Sequence, residues 1–301
     1  MDLGSNMANF IENWEHYGSQ LVVFVGAGAS VGARGKGGQP LPTAYYLRNQ
    51  LWQKFMVKPS DEFDPAQLGL LTLEHAAALV ERKCGRAALV DFLSAAFDVA
   101  LPLWQHTVLP YLRPRAILTT NYDSLIEKGW ALHSSTETLG TLRAYHTTES
   151  ADASPHTPLY KPHGSLERRH MEVGQGGLVI SQFDYLEILG SRRKMIKHCL
   201  SDLNGKYVLF IGYGLQDMDI MAELYELRNP AGKRTIPWYA VFPRNDQNLK
   251  EMLSDKLGIR QINGTFLDFM AAADEALGFI PDAWKFEKLR VISGIHGYEE
   301  C

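Results

Sequence analysis

Residues 21–30 read LVVFVGAGAS: five apolar residues ending in Gly26-Ala27-Gly28-Ala29-Ser30, with Val31-Gly32 next. An unbroken apolar run of this length is the pattern of a strand buried on both faces, as in a parallel sheet. The glycines let the backbone turn sharply and come close to a ligand, because no Cβ stands in the way. A helix directly behind them would aim free N–H groups into the same gap, which suits a diphosphate. The stretch therefore predicts a nucleotide site at the carboxyl end of a first strand. Gly26, Ala27, Gly28 and Ser30 would hold the diphosphate through backbone N–H groups and one hydroxyl.

Two common phosphate loops do not fit. The dinucleotide fingerprint G-x-G-x-x-G/A meets Val31 at its third small position, and residues 46–54 hold no Asp or Glu for a ribose. A Walker loop fails because Gly35-Lys36 is followed by Gly37 and Ser30 stands where the leading glycine belongs.

Composition narrows the class. The chain has 301 residues and a formal charge of −4, which gives no general attraction to nucleic acid or to an anionic membrane. No apolar run approaches the ~20 residues that span a bilayer. The 3 cysteines, Cys84, Cys199 and Cys301, lie far apart, which points to a reducing, cytoplasmic setting and leaves no Cys-x-x-Cys pair for a four-cysteine zinc. No metal site is expected. Residues 1–6, ahead of Met7, can be read as a cloning scar.

Strands alternate with helices along the chain, so the expected fold is α/β: a doubly wound, Rossmann-like parallel sheet in a single domain, 1–301. A leading helix is expected at 9–17, and one at 43–55 with Thr43 as N-cap and Tyr46, Leu47, Leu51 and Phe55 on its inner face. Residues 61–110 read as an inserted or adjoining helical layer, with helices at 68–82 and 86–100 and a segment around 104–109. His75 and His106 fall in it at helical positions and are read as packing or surface residues.

Strands are expected at 115–119, 158–161, 206–211, 237–242 and 258–262. A helix at 124–132 follows the second strand, and the polar stretch 133–157 reads as a mobile connection or lid. A hairpin-like piece around 174–180 precedes two helices, 181–189 and 191–202. Further helices are expected at 218–228, 247–257 and 265–277.

In such sheets ligands lie at the carboxyl ends of strands. Four of these ends are chemically marked: GAGAS, then Thr120-Asn121-Tyr122-Asp123, then Lys161-Pro162-His163-Gly164-Ser165, then Gly212-Tyr213-Gly214-Leu215. Asn121 has an amide that both donates and accepts, and His163 an imidazole, the side chain type suited to taking a proton at neutral pH. Asp123 is a natural N-cap for the following helix.

These motifs, in this order, resemble the sirtuin superfamily, and in particular its bacterial sirtuin-like NAD-hydrolase branch, which lacks the zinc ribbon. The resemblance spans residues 21–242. It implies NAD as substrate, Asn121 and His163 as catalytic residues, and Gly212, Gly214 and Leu215 along the adenosine end. Asp123 would steady the cationic sugar or simply cap its helix, the cap being favoured. Two departures stand against protein deacylation: the zinc ribbon is absent, and Gly32-Ala33-Arg34 replaces the arginine-phenylalanine pair common after the glycine loop.

The expected reaction is cleavage of NAD to nicotinamide and ADP-ribose by an NAD-depleting effector of anti-phage defence. An NAD-dependent deacylase and a non-catalytic NAD or ADP-ribose binder are the alternatives. No residue names a regulatory surface; control is expected through a homo-oligomer or a separately encoded regulatory protein.

Overall fold

The computed structural model describes residues 3–17, 20–99, 101–134, 136, 139–147, 156–201, 206–215, 218–228, 236–243 and 246–286. Two short helices, α1 (Ser5–Glu12) and α2 (Trp14–Tyr17), precede β1 (Leu21–Val25). Next come α3 (Ala44–Phe55), α4 (Leu73–Cys84), α5 (Arg86–Phe97) and the short α6 (Trp104–Val108). They are followed by β2 (Ala116–Thr119), α7 (Leu125–Ala131), β3 (Thr141–Tyr145), β4 (His156–Tyr160) and the long α8 (Gln182–Ser201). The remainder alternates β5 (Tyr207–Ile211), α9 (Met218–Arg228), β6 (Trp238–Val241), α10 (Gln247–Leu257), β7 (Ile259–Ile262) and α11 (Phe266–Leu277).

The strands make one seven-stranded sheet in the order β3-β4-β2-β1-β5-β6-β7. Every neighbouring pair is parallel. The α/β, doubly wound reading of the sequence holds. β1 is central because its side chains serve both faces. Leu21, Val23 and Val25 join one apolar cluster, with Phe10, Trp104, Trp130 and Phe269. Val22 and Phe24 join the other, with Ile196, Phe210, Ile220 and Leu253. Period-two alternation thus places α1, α6, α7 and α11 on one face and α8, α9 and α10 on the other.

Helix ends are set by local chemistry. Thr72 caps α4 and Asp246 caps α10, and Thr265 with Asp268 forms a capping box on α11. Thr43 precedes α3 but makes no capping bond through its side chain. Tyr46 points outward, 61% exposed, so only Leu47 and Leu51 of its expected inner face are buried.

Several boundaries differ from the sequence reading. The leading helix starts at Ser5, and Leu3 is buried in the core, so the residues just ahead of Met7 belong to the fold. The helical layer is a cluster of α3, α4 and α5 with Leu178 and Ile180, whereas Trp104 and Val108 of α6 pack in the main core; the layer begins earlier and ends earlier than 61–110. The connection 133–157 contains β3, an edge strand with one buried residue, Tyr145; residues 135, 137–138 and 148–155 of it lie outside the described residues. Residues 178–180 are buried but form no strand, and α8 is one helix through Gly190 rather than two.

His106 of α6 is buried, lies edge-on to Phe266, and has no hydrogen-bond partner for either ring nitrogen among the described residues. Burial pushes its pKa down to about 4, with the Asp123 charge pulling weakly the other way. The unfolded chain protonates this imidazole at a higher pH than the folded chain does. Its contribution to stability is therefore complete above about pH 6.5 and is lost as the pH falls toward about 4. Urea titrations are expected to show His106 costing about 2–3 kcal/mol at about pH 4.5 relative to neutral pH, a difference that His106→Leu removes. An acid sensitivity unchanged in His106→Leu would place it elsewhere.

Candidate active site

The chain crosses the sheet between β4 and β5, from one side of β1 to the other. The carboxyl ends of β1 and β5 are thus the switch point at which ligands of open α/β sheets bind. Here the two glycine loops are locked together. Gly26 N–H donates to the Ile211 carbonyl at 2.9 Å and Gly28 N–H to the Gly212 carbonyl at 2.8 Å. A Cβ on Gly26 would come within 2.6 Å of the Gly212 oxygen, and one on Gly28 within 2.9 Å of the Gly212 Cα. Gly212 has φ +57, and a Cβ there would lie 2.2 Å from the Ala29 nitrogen.

These glycines therefore serve the approach of one loop to another. The expected use of Gly26 and Gly28 as N–H donors to a diphosphate does not match this arrangement, because both N–H groups are spent. Nor does a long helix follow: residues Ala27–Ser30 form a single 3-10 turn. Ala27, Gly28 and Gly214 are exposed and make the outer, nearly side-chain-free rim of the switch point. Leu215, beside them, holds φ +52, a conformation that costs a non-glycine residue about 1–2 kcal/mol. Gln216 and Asp217 lie outside the described residues.

Ser30 is buried and its hydroxyl is engaged on both sides. It donates to Asp123 Oδ2 at 2.9 Å and accepts from Asn121 Nδ2 at 3.0 Å. It is thus a tie between loops and not a free donor for phosphate. Asp123 uses its second oxygen, Oδ1, to accept from Leu125 N–H at 3.1 Å, at the start of α7. Both carboxylate oxygens hold structure, but the N-cap of α7 is Ser124, not Asp123 as expected; Asp123 stands one residue ahead and accepts from the first N–H of the helix.

Asn121 follows β2 and is 7% exposed. Its Nδ2 also donates to the Gly26 carbonyl at 3.1 Å. That carbonyl can only accept, which fixes the orientation of the amide. Oδ1 remains the atom able to accept from a water or a sugar hydroxyl.

His163 follows β4, the strand paired with β2 through Ile117–Leu159 and Leu118–Tyr160. The loops carrying Asn121 and His163 hence leave neighbouring strands on the same edge. A buried lysine joins them: Lys161, 0% exposed, donates to the Asp123 carbonyl at 2.8 Å and to Glu127 Oε1 at 2.7 Å. Gly164, at φ +75, packs so closely that a Cβ would lie 2.3 Å from the Gly177 oxygen, which explains the glycine of the Pro-His-Gly run. The His163 carbonyl accepts from Val179 N–H, and its ring meets Tyr185 of α8 edge-on, with Nδ1 3.5 Å from the hydroxyl.

Ser165 Oγ is held by His146 Nε2 at 2.9 Å. Burial, then the positive charges of Lys161 and Arg168, pushes the His146 pKa down to about 4, so the ring is neutral near pH 7. Lys161, Glu127, His146 and Tyr185 were not singled out by the sequence; a lysine ending an apolar strand next to a His-Gly turn was the available signal for the first.

A cavity of about 310 Å³ opens beside these loops. It lies between the end of α5 (Ser94, Phe97, Asp98) and the loops after β2 and β4 (Ser124, Leu166, Glu167, Arg169), with Lys36 at its side, and neither Asn121 nor His163 lines it. Among the described residues, no group of three His, Cys, Asp or Glu is placed to hold a metal ion, and no helix is long and apolar enough to cross a membrane.

The arrangement predicts that Lys161→Met, similar in shape but uncharged, strands the Glu127 carboxylate and unties the two loops. Denaturant unfolding is expected to show a loss of about 3 kcal/mol. A loss below about 1 kcal/mol would mean that the ion pair contributes no more than a surface pair does.

A search of curated proteins returns no match. A solved structure described as "Structural Basis for the Mechanism and Regulation of Sir2 Enzymes" is similar over 91% of this chain and 98% of its own, at 14% identity and a TM-score of 0.46. The family model described as "SIR2-like domain" matches residues 115–262, just under half of the chain. That segment, which runs from the edge of β2 to the end of β7 and includes Asn121, His163 and Gly212, is what is similar to the SIR2-like domain.

Proposed function

We propose that the protein is an NAD glycohydrolase that releases nicotinamide and ADP-ribose. The observation that carries this reading is the tie between two loops of the SIR2-like segment. Asn121 and His163 leave adjacent parallel strands, and Lys161 with Asp123 holds their loops together beside the switch point.

NAD carries its nicotinamide as a pyridinium, so the ring nitrogen keeps the bonding pair and departs neutral, with no proton supplied by the protein. The protein's part is to bind, orient and take one proton. Ala27, Gly28 and Gly214 offer a rim on which a diphosphate can lie close to the backbone. The Asn121 Oδ1 accepts a hydrogen bond from a ribose hydroxyl or the attacking water. His163 is the base for the proton released when water oxygen bonds to the sugar carbon. Asp123 is left out of the proton path, since both its oxygens are occupied.

The proposed role is an NAD-depleting effector in bacterial anti-phage defence. Such an activity needs restraint in its host, through self-association or a separately encoded regulatory protein. One observation favours a second reading: the cavity beside Ser124 and Leu166 could admit an acylated lysine, as an NAD-dependent deacylase requires.

Purified protein incubated with NAD alone, followed by chromatography, separates these readings. Nicotinamide release without peptide is expected. Release that requires an acylated peptide would favour the deacylase, and binding without turnover a non-catalytic module. His163→Ala is expected to lose turnover by at least about 100-fold with an unchanged melting temperature. Asn121→Ala is expected to lose turnover yet still bind NAD by calorimetry, and to lose about 1–3 kcal/mol of stability, because the Gly26 carbonyl loses a buried donor. Full turnover in either folded variant would remove that residue from the mechanism.

A further inference from the structure

Helix α8 has an outer face that nothing in the described chain accounts for. Phe183, Leu186 and Leu189 are 62%, 65% and 47% exposed on its amino-terminal half. Isolated exposed apolar residues are ordinary, but three within two turns of one helix form a patch. Gly190 follows them. A glycine inside a helix is unfavourable relative to alanine, and here a Cβ would meet no atom within 4 Å. Packing among the described residues therefore gives no reason for a glycine at this position. A second backbone approaching from outside would give one, since glycine permits the closest approach.

The charges on this face favour one occupant. Glu187 and Lys194 are exposed, and neither has an ion-pair partner among the described residues. They stand on either side of Gly190, three residues before it and four after. Two copies of α8 crossing antiparallel at Gly190 would bring each Glu187 opposite the other's Lys194, to within about one residue's rise of ~1.5 Å. The same pairing lays the Lys194 stem over the other copy's Leu186. A face complementary to itself under a two-fold rotation is what an isologous dimer requires.

We infer that the outer face of α8, centred on Gly190, is the contact between two copies of this chain. The inference does not rest on the reaction proposed above. Sedimentation velocity of the full chain over a dilution series tests it. A dimer is expected for the wild type. Leu186→Glu and, separately, Glu187→Lys are expected to raise the dissociation constant at least about tenfold, through buried or opposed like charge. The double variant Glu187→Lys with Lys194→Glu is expected to restore it, and only a direct contact between these two residues gives that rescue. Gly190→Ala is expected to weaken the dimer without lowering the melting temperature of the monomer. A wild type that stays monomeric at every concentration, a dimer indifferent to Leu186→Glu, or a double variant no tighter than Glu187→Lys would overturn the inference.

Discussion

The site depends on a buried ammonium. Lys161 sits at the end of β4 with no exposure to solvent and directs its Nζ to the Asp123 carbonyl and the Glu127 carboxylate. A lysine in this position is stable only with its hydrogen bonds made and a counter-charge in contact. Meeting that requirement brings the loop after β4 against the loop after β2. The Ser30 hydroxyl extends the same network to the loop after β1, through Asp123 and Asn121. Three loops from three strands are thus one hydrogen-bonded unit, which leaves Glu127 Oε2 and Asn121 Oδ1 as its acceptors without a partner among the described residues.

That unit explains why the glycines sit where they do. The β1 and β5 loops must touch for the edge to close, and Gly26, Gly28 and Gly212 are the positions where a side chain would collide with backbone. Gly164 does the same between the His163 loop and residue 177. The site is built by fitting backbones together; what is exposed is a short rim of Ala27, Gly28 and Gly214, while Asn121 and His163 are each only 7% exposed. An NAD-cleaving reading asks little more of a protein, because the pyridinium supplies the leaving group.

Much of this was legible in the sequence. Continuous apolar runs betrayed β1, β2, β5 and β6, because a strand buried on both faces has no polar alternation to hide behind. The marked residues at strand ends fell on one edge because all the strands run parallel. β3 escaped because an edge strand is half solvated: Thr141, Arg143 and Ala144 are exposed, and the segment reads as polar connection. The break expected at Gly190 was wrong because one glycine costs a long helix only about 1 kcal/mol, which its other residues easily carry. The fate of the glycine-loop N–H groups was not legible, since it depends on which strand lies beside β1, and that neighbour comes 186 residues later in the chain, Leu21 pairing with Tyr207. Lys161 hid for a similar reason, its partners Asp123 and Glu127 being set by the pairing of β2 with β4.

The most direct measurement is a crystal structure of the His163→Ala variant with NAD bound. The account predicts the diphosphate over Ala27, Gly28 and Gly214. It places the nicotinamide ribose within hydrogen-bonding distance of Asn121 Oδ1, beside the space left by the imidazole. A dinucleotide bound elsewhere, or an Asn121 amide turned away from the ribose, would contradict it.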